Sequence, residues 1–144
     1  MLALGVTMKK SGASALIAKT VEEISINTFS PEFKIIGILI LIYVVTSLLT
    51  EILSNNATIV IMAPIALEIA HQMEMGMYDA RAYVLTTCIA ASASFMTPIG
   101  YQTNTFVYSV GGYRFTDFIK VGILFNLIYF GGTICLVCWY WGWL

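Results

Sequence analysis

"ILSNNATIV", residues 52–60, sets Ser54, Asn55, Asn56 and Thr58 inside sequence that is otherwise oily. A second interruption of the same kind, "TPIGYQTNT", follows at residues 97–105. What these stretches mean depends on the solvent around them. Of the 144 residues, 59% are hydrophobic and 10% charged, and the mean hydropathy is +0.86. A soluble domain carries about 25% charge. The charges also cluster: Ile35–Thr50 and Ile52–Leu67 have none, Ala82–Tyr113 is an uncharged run of 32 residues, and Val121–Leu144 is another of 24. A helix needs about 20 mostly apolar residues to cross the hydrocarbon core. The composition therefore specifies an all-α, polytopic helical membrane protein.

Several function classes drop out at once. A net charge of −1 supplies no basic patch for nucleic acid. Cys88, Cys135 and Cys138 all lie in apolar runs, and the C-x-x-C of "GTICLVCWYW" has no His or carboxylate beside it. Packed or lipid-facing thiols fit that setting better than metal or redox chemistry. His71, the single histidine, sits at the polar end of "APIALEIA" and reads as interfacial surface. With no Ser–His or metal constellation the chain reads as a non-enzyme without a resident cofactor. Glu51 and Glu68 flank the first interruption. Glu51 reads as structural, pairing with a Lys or with backbone amides, and Glu68 as interfacial.

The 144 residues make one transmembrane domain. Residues 11–28 alternate apolar Leu16, Ile17, Val21 and Ile24 with Lys19, Glu22 and Glu23, as in a helix lying along the interface. "SPEFK" starts the next helix, with Ser30 as N-cap and Pro31 in its first turn. Residues 33–72 form a hairpin: helix to about Leu53, then helix from Ala57 with Pro64 inside it. "HQMEMGMYDAR" connects it to a broken helix over 82–112, which stops at Thr97-Pro98 and restarts near Thr105. Residues 118–144 are a terminal span ending in Trp139, Tyr140, Trp141 and Trp143, an aromatic belt. Met1–Met8 looks like the end of a helix begun earlier, so the chain reads as a fragment.

Backbone left unpaired in lipid costs several kcal/mol per group. A helix break at depth survives only where protein or a wet cavity satisfies it. Two breaks dressed in Ser, Thr, Asn and Gln suggest a shared space, with helix N-termini offering donors to an anion and unwound carbonyls offering oxygen to a cation. The plainer reading is that these side chains are hydrogen-bond glue between helices.

"LTEILSNNATIVIMAPIALEIA" (49–70) and "ASASFMTPIGYQTNTFVYSVGGYRFTDFIKVGILFNLI" (91–128) resemble the C-terminal half of the divalent-anion:sodium symporters, the solute carrier family 13 and citrate-transporter-like permeases. The resemblance implies the second of two inverted repeats, with a re-entrant hairpin tip at Ser54-Asn55-Asn56 and a broken loop at Gly100–Asn104. It implies cation binding by Thr50, Ser54, Asn55, Gly100 and Gln102, and anion binding by Asn55, Asn56, Thr103 and Asn104. The implied activity is symport of sulfate or a dicarboxylate by alternating access, driven by sodium, with proton coupling left open. The implied setting is a homodimer in the bilayer of a bacterial inner membrane, with the first repeat missing from this chain. Asn56 stands where the family has Thr, and Gln102-Thr103 where it has two prolines, so substrate choice stays open. Orientation stays open too, because Lys9, Lys10, Lys19 and Lys34 outnumber Arg114 and Lys120 on the side expected to be inside. The competing expectation is a non-transporting membrane subunit or inactive fragment.

Overall fold

Apolar sequence interrupted at polar points produces five helices: α1 (Lys34–Thr50), α2 (Asn55–Gln72), α3 (Met77–Ala91), α4 (Gln102–Gly111) and α5 (Phe115–Trp141). These come from a computed structural model that describes residues 33–143 together with positions 7, 10–12, 15–17, 19–21 and 23. All regular structure among the described residues is helical. In the 11–28 stretch, positions 15–17, 19–21 and 23 are helical, and Leu16 and Ile17 are exposed. The Ser30 cap, Pro31 and the Met1–Gly5 end of the chain lie outside the described residues.

Local chemistry explains most of the boundaries. Ser54 is extended (ψ 149°), and its side chain accepts the Ala57 N–H, so α2 starts at Asn55 rather than Ala57. Asn55 and Asn56 are therefore first-turn residues and not unwound backbone. The helix then runs unbroken through Pro64 to Gln72. Asp79 sits in the first turn of α3, where the positive helix end favours it, and α3 begins at Met77, ahead of the apolar run. Gly112 takes φ +65°, the left-handed conformation that ends α4. The Asp117 carboxylate accepts the Arg114 N–H at 2.9 Å and starts α5 at Phe115, before the expected 118. Two boundaries differ from expectation for tertiary reasons. α3 stops at Ala91 instead of reaching Phe95, and α4 restarts at Gln102 instead of Thr105.

Packing fixes the directions. One buried cluster joins Ile38, Leu39 and Ile42 of α1 to Ile65, Ala66, Ile69 and Ala70 of α2, Ala82 and Tyr83 of α3, and Val137 and Cys138 of α5. The first halves of α1 and α3 thus meet the second halves of α2 and α5. α1 and α3 run parallel, and α2 and α5 run against them. The same order continues along α5, where Phe130 meets Tyr43 edge-on with centroids 5.0 Å apart and Asn126 meets Ser47. Consequently the C-terminal ends of α1 and α3, the N-terminal end of α2 and the first half of α5 gather at one end of the bundle. Small residues permit the close approach: Ala82, Ala90, Ala91 and Ala93 are fully buried.

The 27 residues of α5 span about 40 Å and are long and apolar enough to cross a membrane. Leu124, Leu127, Ile128, Leu136 and Trp139 on it are 60–74% exposed, which suits a hydrocarbon solvent. α1, with 17 residues, spans about 25 Å. Ala90→Leu should overpack the α1–α3–α5 contact and lower the unfolding temperature of the detergent-solubilised protein, at a cost of about 1–3 kcal/mol. Leu136→Ala, on the outer face, should leave it within about 0.5 kcal/mol.

Candidate functional site

The first interruption is a tight corner. Past Thr50 the N–H groups of Ile52 and Leu53 both turn back to Leu49 O, at 3.1 and 2.8 Å, and Ser54 then opens α2. Thr50 is fully buried, with its Oγ1 2.5 Å from Ala91 O and 2.9 Å from Asn55 Oδ1. A hydroxyl has one proton, so it cannot donate to both oxygens. The arrangement that satisfies both contacts has Thr50 donating to Ala91 O, with the Asn55 amide turned so that its Nδ2 donates to Thr50. One threonine thus joins the ends of α1 and α3 to the start of α2.

Glu51 governs the second interruption. The residue is 4% exposed, and its carboxylate accepts three consecutive backbone amides: Phe95 N at 3.0 Å and Met96 N at 2.9 Å on Oε1, and Thr97 N at 2.8 Å on Oε2. Asn126 Nδ2 adds a fourth donor at 3.3 Å. Donors that would have continued α3 are drawn aside to this carboxylate, so the helix ends early. Of the two pairings expected for Glu51, backbone amides are the one found.

The carbonyls released by the breaks are met in the same way. Ser94 Oγ donates to Thr50 O (3.3 Å), and Thr97 Oγ1 donates to Glu51 O (2.8 Å) while accepting Gly100 N (3.1 Å). Asn104 Nδ2 reaches Ser94 O (3.1 Å) and Thr97 O (3.3 Å), and Thr105 Oγ1 donates to Pro98 O (2.7 Å). Gly100 is buried where any Cβ would collide with Ser94 Oγ and crowd Thr97 Oγ1 and Thr50 O. A side chain here would displace the Ser94 hydroxyl from Thr50 O, so glycine lets the loop lie against the end of α1 with that bond intact.

Among the residues singled out from sequence, Thr50, Asn55, Gly100 and Asn104 are therefore joined in one network. Asn104 acts on the loop, since its amide braces two carbonyls. Ser54 caps α2 and is exposed. Asn56, Gln102 and Thr103 are exposed in the first turns of α2 and α4 and enter none of these bonds. Thr58, one turn beyond Ser54, is fully buried with no partner for its hydroxyl. Sequence reasoning missed Ser94, Thr97, Thr105, Ser47, Gly122 and Asn126. A lone amide in "GILFNLIYF" was the available signal for Asn126, because polar groups in spans are costly.

The chain matches a family model described as the sodium:sulfate symporter transmembrane region over residues 1–144. An uncharacterized transporter of Synechocystis is 42% identical over 137 residues, covering 95% of this chain and 21% of the relative. Sodium/sulfate cotransporter 1 of Chlamydomonas reinhardtii is 39% identical over 89 residues, 62% of this chain and 10% of that protein. Solute carrier family 13 member 2 of Oryctolagus cuniculus is 35% identical over 80 residues, 55% of this chain and 13% of that protein. The chain spans about a fifth of the length, or less, of these curated relatives.

Glu51→Ala should orphan three amides at about 1–3 kcal/mol each and strongly lower the unfolding temperature in detergent. Glu51→Gln should lower it less, because one acceptor oxygen remains while its NH2 opposes Thr97 N–H. Parent-like melting of both variants would remove Glu51 as the anchor of the loop.

Proposed function

The chain belongs to the sodium:sulfate symporter family, a family of membrane transporters and not of enzymes, and on that premise we propose that it carries one half of a cation-coupled anion transport site. The observation that supports this most is the junction of Thr50 and Glu51 with the 91–100 segment, which makes one polar locus out of two helix interruptions. Two helix C-termini, at Thr50 and Ala91, bring carbonyl oxygen and the negative ends of their dipoles to it. Two N-termini, at Asn55 and Gln102, bring free amides and positive ends.

The proposed cation, sodium, is held by oxygens of Thr50, Ser54, Asn55, Gly100 and Gln102. The proposed anion is sulfate or a dicarboxylate, met by Asn55, Asn56 and Thr103, with Asn104 fixing the loop beneath it. Neutral donors suit this place, since a full positive charge at mid-membrane costs about 2.5–3.5 kcal/mol. In this reading α1 and α2 form a re-entrant hairpin of a second inverted repeat in a multi-pass protein of a bacterial inner membrane. The first repeat supplies the other half of the site, and two copies assemble as a homodimer. Cation binding orders the polar cradle, and the hairpin domain then moves to expose the anion on the other side.

Uptake of labelled sulfate and of succinate by vesicles carrying the complete transporter, with and without a sodium gradient, tests this reading. One of the two anions should accumulate with the gradient. The Asn55→Ala, Gln102→Ala double variant should lower that uptake at least about tenfold, the consequence of losing about 1.4 kcal/mol of binding. If neither anion accumulates beyond the double variant, the symport reading fails.

A further inference from the structure

We propose that Asn126 of α5 is a positioning residue for the transport site, acting through the Glu51 carboxylate that holds the 95–97 backbone; this rests on the reading given under Proposed function. Asn126 is 9% exposed, near the middle of α5, the described helix that is long and apolar enough to cross a membrane. The other buried polar side chain of that helix, Thr133, bonds its own backbone at Tyr129 O (2.7 Å). Asn126 instead reaches across to α1 and its C-cap. Its Oδ1 accepts the Ser47 hydroxyl at 3.2 Å, and its Nδ2 donates to Glu51 Oε1 at 3.3 Å.

The orientation of the amide is settled by chemistry. An ionised carboxylate only accepts, so the group facing Glu51 must be the NH2, and the carbonyl is left for Ser47. A flipped amide would set oxygen against oxygen. Ser47 lies one helical turn before Glu51, so Asn126 grips α1 at two adjacent turns of one face. α5 is also keyed to the loop itself. Gly122, one turn before Asn126, lies so near Phe95 O and the Met96 Cα that a Cβ would collide with that backbone. The 95–97 segment is thus held between Glu51 and α5, and Asn126 fixes the carboxylate from behind.

The side-chain hydrogen bonds of Asn126 go to Ser47 and Glu51, neither of which is assigned to a solute. Its effect passes through Glu51 to the loop, and from the loop to Gly100 and Gln102, whose placement against Thr50 and Asn55 defines the proposed cation cradle. Loosening it should weaken cation binding more than it lowers the amount of folded protein.

The test uses the complete transporter in proteoliposomes, reading labelled sulfate uptake against sodium concentration for Ser47→Ala, Asn126→Leu and the double variant. A second reading follows maleimide labelling of Met96→Cys in a cysteine-free version of the same protein. Asn126→Leu should raise the half-saturating sodium concentration about three- to tenfold, the range of one interhelical hydrogen bond in a membrane, with a smaller change in maximal uptake. Ser47→Ala should shift it in the same direction by less and add nothing to Asn126→Leu, since both act through one amide. Met96→Cys should be labelled faster in the Asn126→Leu background. A half-saturating sodium within about twofold of the parent, together with an unchanged labelling rate, overturns the proposal. If the parent takes up no sulfate, the transport reading has failed for that anion, and the labelling rates alone still decide whether Asn126 holds the loop. Should Asn126→Leu fail to reach the membrane, Ser47→Ala carries the same two readings.

Discussion

Backbone amides cannot stay unpaired in hydrocarbon, and the whole arrangement depends on how Glu51 meets that constraint. Stopping α3 at Ala91 releases donors that a lipid-filled surrounding would penalise by several kcal/mol each. Three of them, on Phe95, Met96 and Thr97, fall on one carboxylate. Placing that carboxylate at depth costs about 2.5–3.5 kcal/mol on insertion scales. One buried charge is therefore cheaper than three orphaned amides, and charge-assisted bonds are the stronger kind. Glu51 belongs to the corner between α1 and α2, so the same bonds that rescue the second interruption bind it to the first.

This explains why the polar residues divide into two groups that composition alone does not separate. Ser94 and Thr97 have donors committed to carbonyls of the α1 corner, and Asn104 and Thr105 to carbonyls of the broken segment. They are the glue anticipated for residues of this type. Asn56, Gln102 and Thr103 are exposed at the starts of α2 and α4, with hydrogen-bonding capacity left over. Thr50 and Asn55 stand between the groups, bonded to each other, with Thr50 fully buried and Asn55 half-buried. Glue and ligand are not competing descriptions of one set of side chains, because the first group makes the break tolerable and the second has free groups to offer.

The helical membrane class was legible because it follows from long uncharged runs, and the two interruptions were legible because polar residues in such runs need a reason. Ser54 could have been read as a boundary, since N-capping is local, but the helix was expected only from Ala57. The ends of α3 and α4 were not legible. Nothing near Ala91 stops a helix, and residues 92–96 would continue one well enough. What stops it is a carboxylate forty residues earlier in the chain, and no local pattern reports where that carboxylate will lie. Gln102 and Thr103 were read as loop for the same reason, the start of their helix being held by the Thr105 hydroxyl on Pro98 O and the Asn104 amide on Ser94 O and Thr97 O, bonds that exist only once the loop is folded. Asn126 and Gly122 were overlooked because a single amide and a single glycine in an apolar span look incidental until the partner helix is in place.

The junction also bears on how such a site can move. Thr50 bridges α1, α2 and α3, Glu51 bridges α1 to the loop, and Asn126 with Gly122 adds α5. Shifting the corner at residues 51–53 without the loop at 95–97 would tear three amides from the Glu51 carboxylate at once. Shifting both together breaks none of these bonds. Any change of access at this locus is therefore easiest as motion of the joined corner, loop and neighbouring helix segments against elements outside them. α4 is the described helix that shares least in this junction: it has no buried residue, and its polar ties come through Asn104 and Thr105 in its first turn. If part of this chain yields while the rest travels as a body, the physical weak point is the segment beyond Thr105, where hydrogen bonds to the locus end.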